Sequence, residues 1–422
     1  MSKKNLQINW KFSKLGEVCT YSKGKKPAVL KELKTKDCSV PYINIKAFEK
    51  GIISEYTNGV KCNICNDDDL LMVWDGARCG LIGKAKKGAV GSTLMKILPK
   101  ENIHKEYLYH FISSKFWTLN TKPKGVGIPH IEPTLLWNFE LVVPPLPEQQ
   151  AIVAKIEELF SELDNGIAQL KTAQQQLKVY RQSLLKWAFE GKLTSSITNE
   201  KLRITNDGLP EGWKWVKLGE VAKVSGGLTK NSKRESLTLR VPFLRVGNVY
   251  FNRLDLVEMH SIGIKNVEME RVRLEKNDLL FVEGNGSIEQ IGRVALWTGE
   301  IKNCVHQNHL IKARFSKSVF PKYALYFYCS KSGRDNIKKQ ANSTSGLHTL
   351  NLSKISNLEL PITTLKEQQL IVSELESKLT VCDKIEETIS QSLQQAETLR
   401  QSILKKAFSG ELVKNHANPK II

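Results

Sequence analysis

Few residues in this chain stand at spacings that do chemistry. His306-Gln307-Asn308-His309 is the most metal-like cluster, yet at alternating strand spacing its side chains read as polar residues on a sheet edge. Cys62 and Cys65 form one Cys-x-x-Cys; a structural zinc site needs a second pair, and Cys38, Cys79 or His104 can complete it only through folding. The run Arg78 to Ala85, with Gly80, Gly83 and Lys84, lacks the first glycine and the hydroxyl of a phosphate-binding loop. Gly284-Asn285-Gly286 lacks the third glycine of a dinucleotide fingerprint, and no Gly-x-Ser-x-Gly elbow is present. Pro144-Pro145 is flanked by Val143 and Leu146, not by the Asn/Asp and aromatic residue of an amino-methyltransferase tetrapeptide. These absences leave recognition, not catalysis, as the expected work of the chain.

The residues suited to recognition are cationic and amide side chains in glycine-rich loops. Net charge is +20, and it is localised. Residues 1–146 carry +10 and residues 213–360 carry +11, while 147–193 and 361–422 are neutral. An extended anion such as nucleic acid is the natural partner of such a surface. Lysine and arginine hold phosphates; here Lys23, Lys25, Lys26, Lys122 and Lys124 in the first half, and Lys230, Lys233, Arg234, Arg293, Lys338 and Lys339 in the second, are the candidates. Base edges are read by side chains offering paired donors and acceptors. Three loop pairs carry them. The stretch 74–78 with Arg78 faces 283–287 with Asn285 and Ser287. The stretch 125–130 with His130 faces 342–348 with Ser343, Thr344 and His348. Lys46 faces Arg245 to Asn248.

The elements that position these loops are written twice. Glu148 to Leu193 and Glu367 to Leu412 align without a gap at an offset of 219 residues, with 18 of 46 positions identical. The preceding segments match with gaps: Trp10 to Val18 against Trp213 to Val221, Val40 to Ile43 against Val241 to Leu244, Asp69 to Val73 against Asp278 to Val282. These anchors read as strands, and 104–117 and 321–339 read as helices. The expected class is α+β: two homologous α/β domains, 1–146 and 213–360, with largely antiparallel sheets. Helical stretches follow at 147–193 and 361–412, joined by a linker at 194–212, with a tail at 413–422.

In the first helix Ile156, Leu159, Leu163, Gly166, Leu170, Ala173, Leu177, Tyr180, Leu184 and Trp187 step by three and four, the seam of a coiled coil. The second seam, from Leu375, Leu379 and Cys382 through Ile385, Ile389, Leu393, Ala396 and Leu399 to Ile403, is less regular. Gly191 and Gly410 stand where a C-terminal cap ends a helix. At 1.5 Å per residue each helix reaches about 65–70 Å, and an antiparallel pairing carries the two domains to opposite ends. Eight scattered cysteines suggest free thiols in a reducing, cytoplasmic setting. No run of 18 apolar residues is present, so no membrane partner is expected.

The duplicated basic domain, the Glu-Gln-Gln openings at 148 and 367, and the endings Arg181-Gln182-Ser183 to Leu193 and Arg400-Gln401-Ser402 to Leu412 together resemble the specificity (S) subunits of type I restriction–modification enzymes. The resemblance spans about residues 10–412. It implies that each target-recognition domain reads one half of a split DNA site and that the two helices, as an antiparallel coiled coil, set the spacing. It implies two modification (methyltransferase) subunits that bind S-adenosylmethionine and methylate adenine. It also implies two restriction subunits that translocate and cleave with ATP and magnesium. No cofactor is expected in this chain. Two rival readings are a coiled-coil adaptor whose basic lobes bind nucleic acid or protein without sequence preference, and a stand-alone nuclease or methyltransferase with an unrecognised site.

Overall fold

In the computed structural model, which describes residues 10–125, 127–198, 202–344 and 347–412, the chain folds as two compact units. One comprises residues 1–170 and 390–422, the other residues 171–389. Each long helix begins in one unit and ends in the other.

The continuous apolar run Leu70-Leu71-Met72-Val73 explains the core of the first unit. Strand Leu70–Val73 is buried on both faces, with Leu70 and Met72 in one apolar cluster and Leu71 and Val73 in another. A strand covered on both sides reads as unbroken hydrophobicity instead of alternation. It lies in an antiparallel sheet with Cys19–Lys23, Leu94–Pro99 and Ile82–Lys84. A second sheet joins Tyr56–Thr57, Val40–Ile43, Gly88–Val90 and Ile64–Cys65. Its one parallel pairing sets Tyr42 beside Ala89. The second unit repeats the plan. Strand Leu279–Val282 divides Leu279 and Phe281 from Leu280 and Val282, and Phe243 pairs in parallel with Val305.

The expected helices appear as Lys105–Ser114 with Phe116–Thr121, and Pro321–Cys329 with Lys331–Gln340. Tyr107 and Tyr323 hold equivalent places: each hydroxyl donates to the carbonyl of the last-entering strand, at Val142 (2.8 Å) and Pro361 (2.9 Å).

The Glu-Gln-Gln motif ties each long helix to its domain. Trp10 Nε1 donates to Glu148 at 2.7 Å, and Trp213 Nε1 to Glu367 at 3.2 Å. Gln149, fully buried, accepts from His104 N (2.8 Å) and donates to the carbonyls of Asn102 (2.9 Å) and Pro144 (2.8 Å). Gln368 does the same with Phe320, Ser318 and Thr363. Gln150 and Gln369 are exposed.

The second half of the motif reaches the other repeat. Phe189 packs edge-on against Tyr323 and Phe327 (5.1 and 5.2 Å), and Phe408 against Tyr107 and Phe111 (5.2 and 5.3 Å). Arg181 pairs with Asp383 at 2.7 Å and Glu386 at 2.9 Å; Arg400 pairs with Asp164, the counterpart of Asp383 at the 219-residue offset. In each unit the helix segments therefore run antiparallel. In the second, Phe189 lies at the Tyr323–Trp213 end where Glu367 opens its helix, while Arg181 meets Asp383 further along.

Three expectations need correction. Tyr180 and Trp187 lie outside the seam, exposed and in ring contact with each other at 6.3 Å, and Ile385 and Leu399 are exposed too. A helix with 3.6 residues per turn drifts from a strict 3.5 repeat, so Leu184, Leu185, Ala188 and Phe189 form the buried stripe near the end. The helices span Leu146–Phe189 and Leu365–Phe408, because strand Glu359–Ile362 occupies the expected second start. Within the expected linker 194–212, the described residues include most of helix Lys192–Thr198, which follows Gly191 (φ +73°), and Leu209, which enters the second unit's core beside Leu193 and Trp213. Among the described residues no helix is long and apolar enough to cross a membrane.

Replacing Gln149 by Ala strands a buried amide and two carbonyls, so unfolding of the first unit is expected to become easier by about 2–3 kcal/mol. Gln150→Ala, at an exposed neighbour, serves as the control in denaturant titration. Equal effects of the two substitutions contradict the clamp.

Candidate nucleic-acid interface

The two divergent loop pairs, far apart in sequence, meet in space in both units. In the first, Lys124 and His130 exchange backbone hydrogen bonds (2.9 and 3.0 Å), and Asp75 bridges His130 on its other side. Gly76 N donates to Pro129 O at 2.8 Å and Ile131 N to Trp74 O at 3.0 Å. In the second, Gly284–Asn285, Leu347–Thr349 and Asn342–Thr344 form a three-stranded ribbon in which His348 stands between Asn285 and Ser343. One histidine is thus the central rung of each ribbon.

The flanking chemistry differs. Asp75 lies 2.9 Å from Lys23 Nζ and 3.4 Å from His130 Nδ1. In the second unit Asn285 replaces Asp75 beside the histidine, and Gly226 ends the strand that Lys23 ends in the first. Asn285 Oδ1 accepts from Ser287 N at 2.9 Å. Asp75 carries no cationic signal, which is why charge-based selection passed over it.

Gly24 and Gly227 bring their strands against a neighbouring backbone. A Cβ at Gly24 stands 2.1 Å from the Gly91 carbonyl, and one at Gly227 stands 2.0 Å from the His306 carbonyl. No side chain fits there, so the following residues are delivered to a fixed place. Lys25 and Lys26 after Gly24, and Lys230 and Lys233 after Gly227, are exposed. Lys46 is exposed on helix Ile45–Lys50, and Lys122 is exposed beyond Phe116–Thr121. Lys124 lies 3.6 Å from Glu132, Arg78 pairs with Glu49 at 3.1 Å, and Lys338 with Glu289 at 2.6 Å; Lys339 is exposed. Ser287 is exposed and His348 half-buried. Ser343 and Thr344 lie on the ribbon strand, but their side chains are outside the described residues.

Two candidates are engaged within the domain. Arg234 is enclosed: its guanidinium grips Glu268 at 2.7 and 3.0 Å and donates to the carbonyls of Gly263 and Thr229. That pairing holds the Glu268 carboxyl down to about 2. Asn248 is buried; its side chain accepts from Arg245 N and donates to Asp255 O and Glu258 O, bracing the loop from within. Arg293 is half-buried, 5.5 Å from the centre of the Tyr250 ring, and donates to Val246 O. Arg245 is also half-buried.

The His306–His309 cluster divides. His306 lies on Val305–His306, the edge strand of its three-stranded sheet, but is fully buried there; its Nδ1 lies 3.0 Å from Val272 O, and burial lowers its pKa to about 3. His309 is exposed beside Glu283. Cys65 is buried, its thiol pushed up to about 11, and Cys62 is half-buried. Among the described residues no three metal-ligating side chains converge.

The sequence matches the type I restriction modification DNA specificity domain twice, over residues 7–173 and 210–395. The chain belongs to this family. Its members are DNA-recognition subunits that do not themselves catalyse, which agrees with the chemistry missing from the sequence. The chain is similar to the EcoKI specificity subunit of Escherichia coli K12, with 27% identity covering 98% of this chain and 91% of that one. The MjaVIII specificity subunit of Methanocaldococcus jannaschii is 24% identical over 96% and 94%. The fold is shared with a chain of a type I R-M system (TM-score 0.69, 20% identity, 96% and 99% covered). It is also shared with the HsdS subunit from Thermoanaerobacter tengcongensis (0.59, 20%, 97% and 99%).

In this specificity protein, the exposed Lys25-Lys26 pair is expected to contact phosphates. Changing both to Ala should lower the slope of log affinity against log salt by about 1–2, with equal loss on all sequences. Fluorescence anisotropy in a KCl series checks this; an unchanged slope rejects the role.

Proposed function

We propose that the chain reads a bipartite, asymmetric DNA site, one half per domain, through the histidine-centred ribbons. The observation that carries this reading is the convergence, in both homologous units, of the loops that diverge most in sequence. A constant scaffold bearing variable polar loops suits two readers of different targets. The first ribbon offers a carboxylate, Asp75, with Lys23; the second offers the amide of Asn285. Carboxylates accept from cytosine N4 and amides pair with adenine, so the two ribbons favour different base edges. Phosphate contacts come from Lys25, Lys26, Lys122, Lys124, Lys230, Lys233, Arg293, Lys338 and Lys339, with Lys46, Arg78, His130, Ser287, Ser343, Thr344 and His348 nearer the bases.

The long helices pass from unit to unit, which supports them as the element that sets half-site spacing. The chain works in the cytoplasm as the specificity subunit beside two modification and two restriction subunits. S-adenosylmethionine, ATP and magnesium belong to those partners.

Methylation mapping of a genome that carries this chain with its modification subunits tests the reading. The expected motif is two short specified blocks around an unspecified spacer. Asp75→Asn is expected to alter one block and leave the other intact. A continuous motif, or a uniform loss of methylation on Asp75→Asn, contradicts the proposal.

A further inference from the structure

A cavity of about 380 Å³ in the second unit is lined by Lys230, Glu235, Arg240, Arg245 and His260, with Arg234 in its wall. The charges are poorly matched. Arg234 is spent on Glu268, which leaves Lys230, Arg240 and Arg245 against Glu235 alone in the lining. Arg240 is held in place by Nε to Ser261 Oγ and Nη2 to Ser261 O, both at 3.2 Å, and its remaining nitrogen is uncommitted among the described residues. Arg245 Nε is buried with no hydrogen-bond partner. A buried guanidinium nitrogen without an acceptor is costly, and Arg245 borders a space lined by other cations.

The first unit places different residues at the equivalent positions, and strand register shows which. Phe243 faces His260 across its sheet. Its counterpart Tyr42 meets Glu55, N to O at 2.9 Å. Glu55 therefore occupies the position of His260, and by the same alignment Asn44 that of Arg245 and Ser39 that of Arg240. Asn44 Nδ2 donates to Glu55 Oε2 at 2.8 Å. Where the second unit has Arg, Arg and His, the first has Ser, Asn and Glu, the last two joined in a pair whose carboxylate repels anions.

We propose that this cavity is a phosphate-binding site present in the second unit alone, and that its ligand is a backbone phosphodiester of the bound DNA. Guanidinium groups supply forked donors matched to phosphate oxygens, and confinement between them strengthens each bond. Arg245 follows the strand whose neighbouring loop carries Lys230, so one phosphate held here fixes the strand against the exposed Lys230 and Lys233. The second half-site is anchored by a built pocket and the first by surface lysines only. The inference rests on the DNA reading above.

The experiment measures binding of the full chain to a random-sequence duplex in a KCl series, with inorganic phosphate tested separately by thermal shift. Arg245→Gln, Arg240→Gln and His260→Glu are compared, the last because the first unit folds with a carboxylate at that position. Wild-type binding with a salt slope tests the DNA reading; its absence sinks that reading. If wild type binds, each variant is expected to reduce the slope by about one, alike on all sequences. A folded variant set with wild-type slopes overturns the pocket. Loss of phosphate-induced stabilisation with unchanged DNA slopes also overturns it, because the site then takes free phosphate and not the backbone. A change in the methylation motif of the Arg245→Gln variant, mapped as above, overturns it too, since Arg245 is then a base reader.

Discussion

The structure depends on one exchange: the helix that starts on each recognition domain ends in the core beside the other one. Phe189 closes the aromatic cluster of Tyr323 and Phe327, and Phe408 that of Tyr107 and Phe111. Burying such a ring contributes about 1.5–3 kcal/mol. The accompanying Arg181–Asp383 pair is exposed on its acid side, with Asp383 at 69%. Such a pair is worth about 1 kcal/mol or less, so it sets register while the aromatic docking supplies stability. Each repeat is incomplete by itself. That constraint accounts for the close similarity of the helix ends between the copies, where the ending Arg-Gln-Ser through Ala-Phe to Gly must serve the other half's core.

With the scaffold fixed in this way, the loops are free to differ. Gly24 and Gly227 meet the same backbone surface, and His130 and His348 hold the same rung. Around them Asp75 becomes Asn285, Lys23 becomes Gly226, and the Asn44–Glu55 pair becomes Arg245 with His260. Each change alters hydrogen-bonding capacity or charge at half-buried or exposed positions outside the apolar cores. Specificity can thus diverge while the scaffold persists.

Much of this was legible in the sequence because its signals were local or repeated. The runs at Leu70 and Leu279, the paired helices after each sheet, and Gly191 and Gly410 at positive φ all follow from periodicity or cap chemistry. The Glu-Gln-Gln motif marked a helix start, but its function, a buried glutamine binding three backbone groups from two loops, needs the fold. The same holds for the ribbons: no local pattern says that 74–78 lies against 125–130. Composition gave no sign that Arg234 and Asn248, whose residue types suit DNA, have partners within the domain at Glu268, Asp255 and Glu258. The helical seam failed at Tyr180 and Trp187 because heptad counting imposes a 3.5 period on a helix that keeps 3.6.

Hydrogen exchange on the Phe408→Ala variant tests the central constraint most directly. Faster exchange is expected in helix Lys105–Ser114 and strand Leu94–Pro99 of the first domain, with the second domain's Pro321–Cys329 unchanged. Faster exchange confined to Pro321–Cys329, the helix of Phe408's own repeat, contradicts it.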